Sequence, residues 1–504
     1  MADCIVLHAA DDVAIVTRRL VQGADPLGLA PLDAALAPGH KIARRAIATG
    51  APVHKFGQVI GVAARDIAAG AHVHSHNLIM ADHATDGAIG TALDAARAAI
   101  PSLPPRTFMG YARADGRVGT RNSIALCATV NCSATVIRRA AAELLSEGAL
   151  DAYPHVDTIC AFAHGTGCGM ATDTDGGRIL EAVLWGHATH PNIGAAIFVG
   201  LGCEVMQVAR MRSRTGDADT QHFHFLTIQD SGGTRATIDA IKAHVRDLLP
   251  QVNAARRTPC PVSALTVALQ CGGSDGLSGV TANPALGLAS DAIVALGGTA
   301  ILAETPEIFG AEQLLLSRTD AVTGAALRAR LDWWADYTGR HGATLDNNPS
   351  PGNKLGGLTT ILEKSLGAVA KGGSTPLACV CAYAAPPATR GLVFMDSPGF
   401  DPVSVTGQIA GGAQVVCFTT GRGSAFGSKP APTIKIATND ALMASMPDDM
   451  DIGCGDVLRG VPLADKGAEI LDAILAVASG VRTKSETLGL GDDEFVPWQM
   501  GAVL

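Results

Sequence analysis

Short apolar runs recur along the chain from about residue 120 onward, and each of them leads into a polar loop rich in glycine. The run SIALCAT (123–129) precedes VNCSAT, VDTICAFA (156–163) precedes HGTGCGM, and AAIFVG (195–200) precedes LGCEV. Apolar runs of this length predict buried strands, and their alternation with helical segments predicts parallel α/β sheets. The same pattern returns in FHFLTI (223–228), SALTVAL (263–269), TAILA (299–303), LVFM (392–395) and QVVCF (414–418).

Helical stretches separate these predicted strands. VIRRAAAELLSEG follows the first strand, with Ser133 or Thr135 as its expected N-cap, and RATIDAIKAHVRDLL follows the fourth. In parallel sheets, ligands bind beyond the carboxyl ends of the strands. The polar loops are therefore expected to converge, from two α/β domains, on one or two clefts.

The first 80 residues show a different pattern. Short runs of β-branched and alternating residues (DDVAIVTRRL, APVHKFGQVIGVAARDI, AHVHSHNLIM) are separated by turn signals such as APGHK and ATGAP, which predicts a small, irregular β domain. The predicted architecture is α/β and multidomain. It has a β domain at 1–80, an Ala- and Pro-rich linker at 81–107, and two α/β domains with mostly parallel sheets at 108–255 and 256–504.

Composition and charge narrow the class of protein. A chain of 504 residues, 47% of them hydrophobic and 4% aromatic, is too long for one core and is typical of a packed multidomain protein. The net charge of −9 offers no basic patch for nucleic acid. No apolar run approaches the ~20 residues that span a bilayer, and MADCIVLHAADDVAIV lacks the pattern of a signal peptide. We therefore expect a cytoplasmic protein with reduced thiols, no nucleic-acid or membrane partner, and a homodimeric assembly.

Three histidines alternate in GAHVHSHN (70–77). In a strand, His72, His74 and His76 would share one face, but they would lie roughly 6.5–7 Å apart, which is wide for three ligands of one ion. We expect His74 and His76, at the strand end where the backbone can turn, to bind a metal with a third ligand from another domain. His72 is then a substrate contact, and an exposed polar strand end is the alternative for all three.

Cysteines follow several of the predicted strands. Cys132, Cys168, Cys203 and Cys271 each come after a strand. Convergent thiolates would suit iron or zinc, although the sequence has no C-x-x-C pair and buried thiols are common. His164, four residues before Cys168, is a candidate proton-transfer group because an imidazole titrates near neutrality.

Charged residues on the loops supply the remaining candidates. Arg121, Lys354 and Arg422 would suit a small, anionic, hydroxylated substrate, with an ordinary ion pair as the alternative for each. The glycine loops HGTGCG and GRGSAFG match neither a Walker loop nor a dinucleotide fingerprint, so tight turns explain them better. Acidic residues on these loops can bind a divalent cation, act as bases or cap helices: Glu204, Asp275, Glu304, Glu307, Asp396 and Asp401.

A series of motifs resembles, in order, the altronate/galactarate dehydratase family. They are GYARADGRVGTRN, TVNCSATV, HGTGCG, GLGCE, QCGGSDGLSGVTANPA, NPSPGNKLGGL and FTTGRGSAFG. The segment LAPGHKIARRAIATGAPVHKFGQVIGVAARDIAAG resembles the small β-clip (SAF) domain that precedes the catalytic part in this family. The resemblance covers nearly the whole chain and implies a β-clip domain followed by two α/β domains.

The resemblance also implies a hydro-lyase that dehydrates an aldonate or aldarate to a 2-keto-3-deoxy acid with a divalent metal, Fe²⁺ first and Mn²⁺ second. Such chemistry needs a Lewis acid on the substrate carboxylate, two proton-transfer groups and an anion clamp. We expect these roles to fall to the following residues: His164, Lys354 and Arg121 in catalysis; Asn122, Asn353, Arg422 and His72 in substrate binding; and His74, His76, Cys168, Cys203, Cys271 and Glu204 at the metal.

Several alternatives stay open. The histidine trio departs from galactarate-type members and is closer to split relatives that act on sulfolactate. The fold therefore transfers from the family, whereas the substrate does not. Altronate is the first expected substrate and galactarate the second, and a sulfo-lyase or another small hydroxy-acid lyase of the same fold is the alternative. A non-catalytic sugar-acid-binding protein would not need the proton-transfer groups. A cluster on Cys132, Cys168, Cys203 and Cys271 would instead define an iron–sulfur dehydratase.

Overall fold

Two small antiparallel sheets form the N-terminal β unit (residues 2–81) in the computed structural model, which describes residues 2–81, 83, 87–215 and 222–501. One sheet has the order β1-β2-β3-β6 and the other β4-β5-β7. The strands are β1 (Cys4–Ile5), β2 (Val13–Val16), β3 (Lys41–Ala43), β4 (Pro52–Lys55), β5 (Gln58–Ala63), β6 (His72–Val73) and β7 (Leu78–Ile79). The β-rich start of the predicted fold is confirmed.

The histidine segment is a turn rather than a strand. Strand β6 contains only His72 and Val73, because the chain reverses at His74, whose carbonyl accepts the N–H groups of Asn77 and Leu78 at 2.9 Å each. The predicted strand alternation through His76 is therefore wrong. The turn brings the rings closer than a strand would, with His72 and His76 ring centroids 5.4 Å apart.

A four-stranded parallel sheet with the order β11-β10-β12-β13 forms the central unit (residues 122–253). Helix α1 (Leu93–Ala98) precedes this unit, and a small antiparallel sheet of β8 (Thr107–Ala112), β9 (Val118–Gly119) and β14 (Arg257–Pro261) brackets it. The elements of the central unit are β10 (Ser123–Ala128), α2 (Asn131–Ser146), β11 (Ile159–Phe162), α3 (Asp175–Ala188), β12 (Ile193–Gly200), α4 (Val208–Thr215), β13 (Phe223–Thr227) and α5 (Thr234–Asn253).

Helix α2 begins earlier than the sequence predicts. Its N-cap is Val130, and no side chain caps its first N–H groups. Ser133 lies inside the helix, where its hydroxyl donates to the carbonyls of Val130 (2.9 Å) and Val199 (2.6 Å). The predicted caps, Ser133 or Thr135, are therefore wrong, because these residues already belong to the helix.

The C-terminal unit (residues 262–501) is built on a seven-stranded parallel sheet with the order β17-β18-β16-β15-β19-β20-β21. Its strands are β15 (Thr266–Cys271), β16 (Thr299–Ala303), β17 (Leu377–Cys381), β18 (Gly391–Met395), β19 (Val415–Thr420), β20 (Thr433–Ala437) and β21 (Ile452–Gly453). Its helices are α6 (Ala282–Ala295), α7 (Gln313–Leu316), α8 (Ala321–Arg340), α9 (Pro351–Leu355), α10 (Ile361–Ala370), α11 (Asp401–Ala410), α12 (Asp440–Ser445), α13 (Leu463–Ala478) and α14 (Lys484–Thr487). The two parallel sheets confirm the predicted α/β fold.

The N-terminal β unit docks on the C-terminal unit through a buried ion cluster. Glu363 accepts from the ammonium groups of Lys41 and Lys55 at 2.9 Å each, and from the hydroxyl of Thr359 at 2.7 Å. All three charged side chains are almost fully buried. A buried charge is tolerated only when it is paired, so these contacts fix how the histidine turn meets the C-terminal loops.

Two further features concern the whole chain. All twelve cysteines are free thiols, as the sequence predicts. None of the helices that the structure describes is long and apolar enough to cross a membrane.

Candidate active site

Polar side chains gather where three neighbouring strands of the seven-stranded sheet end. Cys271 is the last residue of β15, Glu304 follows β16, and Asp401 opens α11 after β18. Because β18, β16 and β15 are adjacent and parallel, their carboxyl ends meet at one edge. A cleft of about 460 Å³ opens there, with Glu307 and Lys364 in its wall.

Three of these groups are spaced as metal ligands. Cys271, Glu304 and Glu307 are buried, each with a ligand atom within 4.8 Å of the others, and they form the only such set among the described residues. Both carboxylate oxygens of Glu304 are buried without a hydrogen-bond partner. A carboxylate in that position needs a proton or a cation nearby.

Glu304 also has an unusual backbone. Its φ of 73° lies in the left-handed region, which costs free energy for a residue with a side chain. Its N–H donates to the hydroxyl of Ser397 at 3.0 Å, which holds the residue in place. The backbone therefore presents the unpartnered carboxylate to Cys271 and Glu307.

Two lysines from α10 and its end face the same cluster. Lys364 forms a short ion pair with Glu307, and Lys371 donates to the sulfur of Cys271 at 2.9 Å. The sequence interpretation missed both lysines. Their spacing of seven residues, two helical turns, was the available signal, since it puts them on one face.

The electrostatics of the cluster favour a cation. Burial raises the pKa of Glu304 well above its usual range, and Glu307 and Asp401 raise it further. Burial and then Glu307 raise the pKa of Asp401 to about 6. Burial alone would lower the pKa of Lys364, but Glu307 and Cys271 reverse this effect and keep the lysine protonated.

The donor set is consistent with a divalent metal. Three carboxyl groups meet only two ammonium groups, so negative charge remains uncompensated. A thiolate with two carboxylates suits a first-row transition metal such as Fe²⁺ or Mn²⁺. The residues present therefore fit the group that the family resemblance implies.

A second cluster, the histidine cluster (His40, His72, His74 and His76), lies between the N-terminal and C-terminal units. His40 Nδ1 and His72 Nε2 are 3.0 Å apart, and neighbouring ring centroids are 5.1–5.4 Å apart. Burial lowers the pKa of His40 to about 4, and burial together with His40 lowers that of His72 to about 3. His40 was missed from the sequence, although it stands in APGHK just before β3.

The short helix α9 links the two clusters. His74 Nε2 is 2.9 Å from the carbonyl of Lys354, and His40 Nε2 is 3.3 Å from that of Leu355. Ser350 and Asn353, at the start of the same helix, line the cleft. The histidines therefore influence the cleft by positioning α9. Among the described residues, no carboxylate or thiol forms a close metal-ligand set with them.

The predicted substrate residues near the cleft differ in whether their polar groups already have partners within the protein. Asn353 closes a capping box with Ser350 and donates to the carbonyl of Ser274 at 2.8 Å, so its amide is occupied. Lys354 is half-buried and Arg422 is exposed, and no carboxylate of the described chain pairs with either. The backbone of Arg422 is tied to Gly273 of the cleft wall at 2.9 Å.

Arg121 and Asn122 do not lie near this cleft. They precede β10, at the opposite end of the central strands from the polar loops. Arg121 binds both carboxylate oxygens of Glu486 at 2.6 and 2.8 Å, and the amide of Asn122 donates to the carbonyls of His155 and Val252. Their predicted roles in catalysis and substrate binding are corrected to structural ones, because their polar groups are already bonded.

The remaining predicted residues lie in the central unit. His164 is buried, with Nε2 2.9 Å from the carbonyl of Ala128 and Nδ1 accepting the N–H of Thr166 at 3.2 Å. Glu204 is also buried, and it accepts the N–H of Gly202 and the hydroxyl of Thr129. The structure therefore does not bring His164, Cys168, Cys203 or Glu204 to Cys271, and none of them forms a close ligand set with His74 or His76 in the described part of the chain.

The fold and the strand-end cluster define an α/β enzyme with an N-terminal β unit. Three family models match along the chain: the altronate/galactarate dehydratase SAF domain at residues 2–81, the D-galactarate dehydratase/altronate hydrolase second domain at 110–253, and the D-galactarate/altronate dehydratase C-terminal domain at 262–503. The chain belongs to the altronate/galactarate dehydratase family. This confirms the expected hydro-lyase family.

Curated relatives agree with this assignment. The chain is 37% identical over 493 residues to an altronate dehydratase of Escherichia coli K12, with 96% of each chain covered. It is 34% identical over 498 residues to a galactarate dehydratase (L-threo-forming) of the same organism, covering 96% of this chain and 95% of the relative. It is also 32% identical over 396 residues to the β subunit of a (2R)-sulfolactate sulfo-lyase of Chromohalobacter salexigens, covering 77% of this chain and 96% of the relative.

Proposed function

We propose that this protein is a metal-dependent sugar-acid dehydratase that converts altronate, or galactarate as the second choice, to a 2-keto-3-deoxy acid. The observation that carries the proposal is the buried, unpartnered carboxylate of Glu304 beside Cys271 and Glu307. Relatives of nearly full length are dehydratases of these two acids. The free thiols suit a reducing compartment, and we place the enzyme in the cytoplasm.

Cys271, Glu304 and Glu307 would hold the metal, Fe²⁺ first and Mn²⁺ second. When bound, the metal supplies a Lewis acid that polarises the substrate carboxylate and makes the proton on the neighbouring carbon more acidic. Lys371 holds the sulfur of Cys271, and Lys364 holds Glu307. These lysines keep two of the three ligands oriented.

Two unpaired cations would bind the substrate carboxylate from the edge of the cleft. Lys354 follows Asn353 in the cleft wall, and Arg422 is tied to Gly273 of the same wall. A cation without a carboxylate partner is available to an anionic substrate. Of the predicted substrate residues, Lys354 and Arg422 are therefore the ones that we retain for this contact.

Asp401 and Lys364 would transfer the protons. Asp401 lines the cleft, and its pKa of about 6 leaves it ionised at neutral pH yet basic enough to accept the α-proton. Lys364 is held as an ammonium ion in the same wall and would donate a proton to the departing β-hydroxyl, which leaves as water. The enol that remains then takes up a proton at carbon and loses its hydroxyl proton, which gives the ketone.

The histidine cluster would shape the substrate side of the cleft. His74 is bonded to the backbone of Lys354, so the cluster sets the position of one substrate-binding cation. His72 is then the ring that we expect to face the substrate, and His74, together with His40, positions α9 rather than binding the metal.

A sulfo-lyase acting on sulfolactate is the second candidate. The similarity to the sulfolactate sulfo-lyase subunit covers 96% of that subunit. The same base would remove the α-proton, and the C–S bond would break with its electron pair on sulfur, so that sulfite leaves in place of water. Because sulfite needs no protonation to leave, Lys364 would then be dispensable.

The experiment is a substrate panel. The protein with added Fe²⁺ is offered altronate, galactarate, other aldonates and aldarates, and sulfolactate, and 2-keto acid and sulfite are measured. We expect 2-keto acid from altronate or galactarate and much less from Lys364→Met. Sulfite release from sulfolactate alone would support the second candidate, and failure with every sugar acid would contradict the proposal.

A further inference from the structure

Three exposed thiols lie at one edge of the central sheet. Of the twelve cysteines, only Cys132, Cys168 and Cys203 are exposed, and the others are buried or half-buried. Each of the three follows the carboxyl end of a strand: β10, β11 and β12, respectively. These strands are neighbours in the order β11-β10-β12 and run parallel, so the three thiol-bearing loops meet at the same edge.

Backbone contacts bind these loops to one another. The N–H of Asn131, next to Cys132, donates to the carbonyl of Thr166 at 2.9 Å. The N–H of Met206 donates to the carbonyl of Gly167, next to Cys168, at 3.0 Å. The loop of Cys168 therefore touches both of the other loops.

Gly167 allows this close approach. Its φ is +99°, and a Cβ atom there would lie 2.2 Å from the carbonyl oxygen of Thr129 at the end of β10. Only glycine has both the conformation and the space for such a contact. Gly167 thus allows the loop of Cys168 to pack directly against the end of β10.

Buried polar side chains brace the loops of Cys203 and Cys168. Glu204, next to Cys203, accepts the N–H of Gly202 at 2.6 Å and the hydroxyl of Thr129 at 3.0 Å. His164, four residues before Cys168, bridges the carbonyl of Ala128 and the N–H of Thr166. These contacts fix the thiol-bearing loops without involving the thiols themselves.

N–H groups lie beside two of the three cysteines. Cys132 lies in the first turn of the 16-residue helix α2, which has no side-chain cap, so its N–H groups and helix dipole attract negative charge. The amide of Gln229 donates to the sulfur of Cys203 at 3.6 Å. Hydrogen bonds to sulfur are typical of iron–sulfur sites.

Three thiols on three different loops suit a cluster. A [4Fe–4S] cubane offers a separate iron corner to each thiolate that binds it, and each of the three exposed cysteines comes from a different loop. Sulfurs bound to one zinc lie within about 4 Å of each other, because each Zn–S bond is about 2.3 Å, whereas these three sulfurs do not form a set within 4.8 Å among the described residues.

We propose that Cys132, Cys168 and Cys203 bind a [4Fe–4S] cluster, whose fourth iron receives no cysteine of this unit. Cys271 takes no part, since it lies in the other parallel sheet and is bonded to Lys371. The cluster site is separate from the cleft at Glu304 and does not rest on the function proposed for that cleft. The open corner lies at an edge flanked by clefts of about 340 and 370 Å³, lined by His164 and by Glu204, respectively.

The test is anaerobic reconstitution of the full chain with iron salts, sulfide and dithiothreitol. Iron and acid-labile sulfide are then measured per chain after desalting, together with the visible spectrum. We expect a brown protein with about four iron and four sulfide per chain. Cys132→Ser, Cys168→Ser and Cys203→Ser should each lose most of the labile sulfide, and since these side chains are exposed, circular dichroism should show an unchanged fold.

Two control variants make the result specific. Cys379→Ser, in β17 of the C-terminal unit and half-buried, should keep the full sulfide content. Glu304→Gln should also keep it while losing dehydratase turnover, so that failure of the cluster and failure of the proposed function are distinguishable. Wild-type protein without labile sulfide, sulfide retained in the three serine variants, or stoichiometric zinc in place of iron would each overturn the proposal.

Discussion

Glu304 combines two features that destabilise a folded chain. Its backbone is in the left-handed region, and both carboxylate oxygens are buried without a hydrogen-bond partner. Each feature costs on the order of 1–3 kcal/mol. A residue that destabilises the fold in this way, at a strand end beside Cys271 and Glu307, indicates a functional role for Glu304.

Replacement of Glu304 separates stability from activity. Glu304→Gln removes a buried carboxyl group whose ionised form burial, Glu307 and Asp401 disfavour, so the metal-free protein should melt at a higher temperature. The same change removes a metal ligand and should lower kcat/KM by about 100-fold or more. Melting in the presence of a chelator and steady-state turnover check both effects, with the exposed Glu469→Gln as the matched control. A lower melting temperature, or turnover like that of the control, would refute this role.

At single positions, the sequence predicted which residues carry reactive groups better than it predicted which groups they bond to. Glu304, Glu307 and Asp401 were named as carboxylates of the polar loops because each follows a predicted strand. Lys364 and Lys371 were not named, because they lie on a helix whose orientation depends on tertiary packing. His164 and Arg121 look reactive in sequence, yet the structure gives their polar groups backbone or carboxylate partners.

At the scale of the elements, site residues lie after the carboxyl ends of strands, whereas structural residues such as Arg121 lie before the amino ends. Cys271, Glu304 and Asp401 follow strands, whereas Arg121 precedes β10. Its guanidinium joins the start of β10 to α14 through Glu486, and to α13 through the carbonyl of Val477 at 2.8 Å. The rule that ligands bind at carboxyl ends already argued against Arg121, and strand direction was the information needed to apply it.

Arg121→Met should therefore affect stability and not binding. The change leaves Glu486 without its partner in a largely buried place, and such breaks cost about 3 kcal/mol. Denaturant unfolding should show this loss, while KM for the sugar acid stays within about twofold of wild type. Arg117→Met, whose partner Asp115 is exposed, serves as the control and should cost less than about 1 kcal/mol. A large rise in KM with unchanged stability would restore Arg121 to the site.

At the scale of the whole molecule, the order of the three units was predictable and their docking was not. The change from alternating to continuous apolar runs predicted a β unit followed by two parallel sheets. The contact between units rests on Lys41, Lys55 and Glu363, which are far apart in sequence and become partners only after folding. The homodimer expected from the size and class of the chain stays a prediction.

Buried neutral histidines should make the fold sensitive to mild acid. Burial lowers the pKa of His187 to about 4 and that of His190 to about 3, against about 6.5 in the unfolded chain. Below pH 6.5 these histidines therefore bind protons in the unfolded chain but stay neutral in the folded chain. The free energy of unfolding consequently falls as the pH is lowered.

Urea unfolding between pH 7 and pH 5 checks this dependence, above the range where most carboxylates titrate. His187 lies in helix α3, with Nδ1 2.9 Å from the carbonyl of Val183. His187→Gln should keep a local donor and flatten the slope with pH. A slope equal to that of the wild type, or no dependence at all, would show that these histidines are not the cause.

The dehydratase account is tested most directly by restoring turnover of altronate and galactarate in chelated protein with Mn²⁺, which does not rebuild an iron–sulfur cluster. We predict that Mn²⁺ restores 2-keto acid formation in the wild type and in Cys168→Ser, but not in Glu304→Gln. Restoration in Glu304→Gln to the wild-type level, or no turnover of either acid by any of the three proteins, would contradict a metal-dependent dehydratase built on Cys271, Glu304 and Glu307.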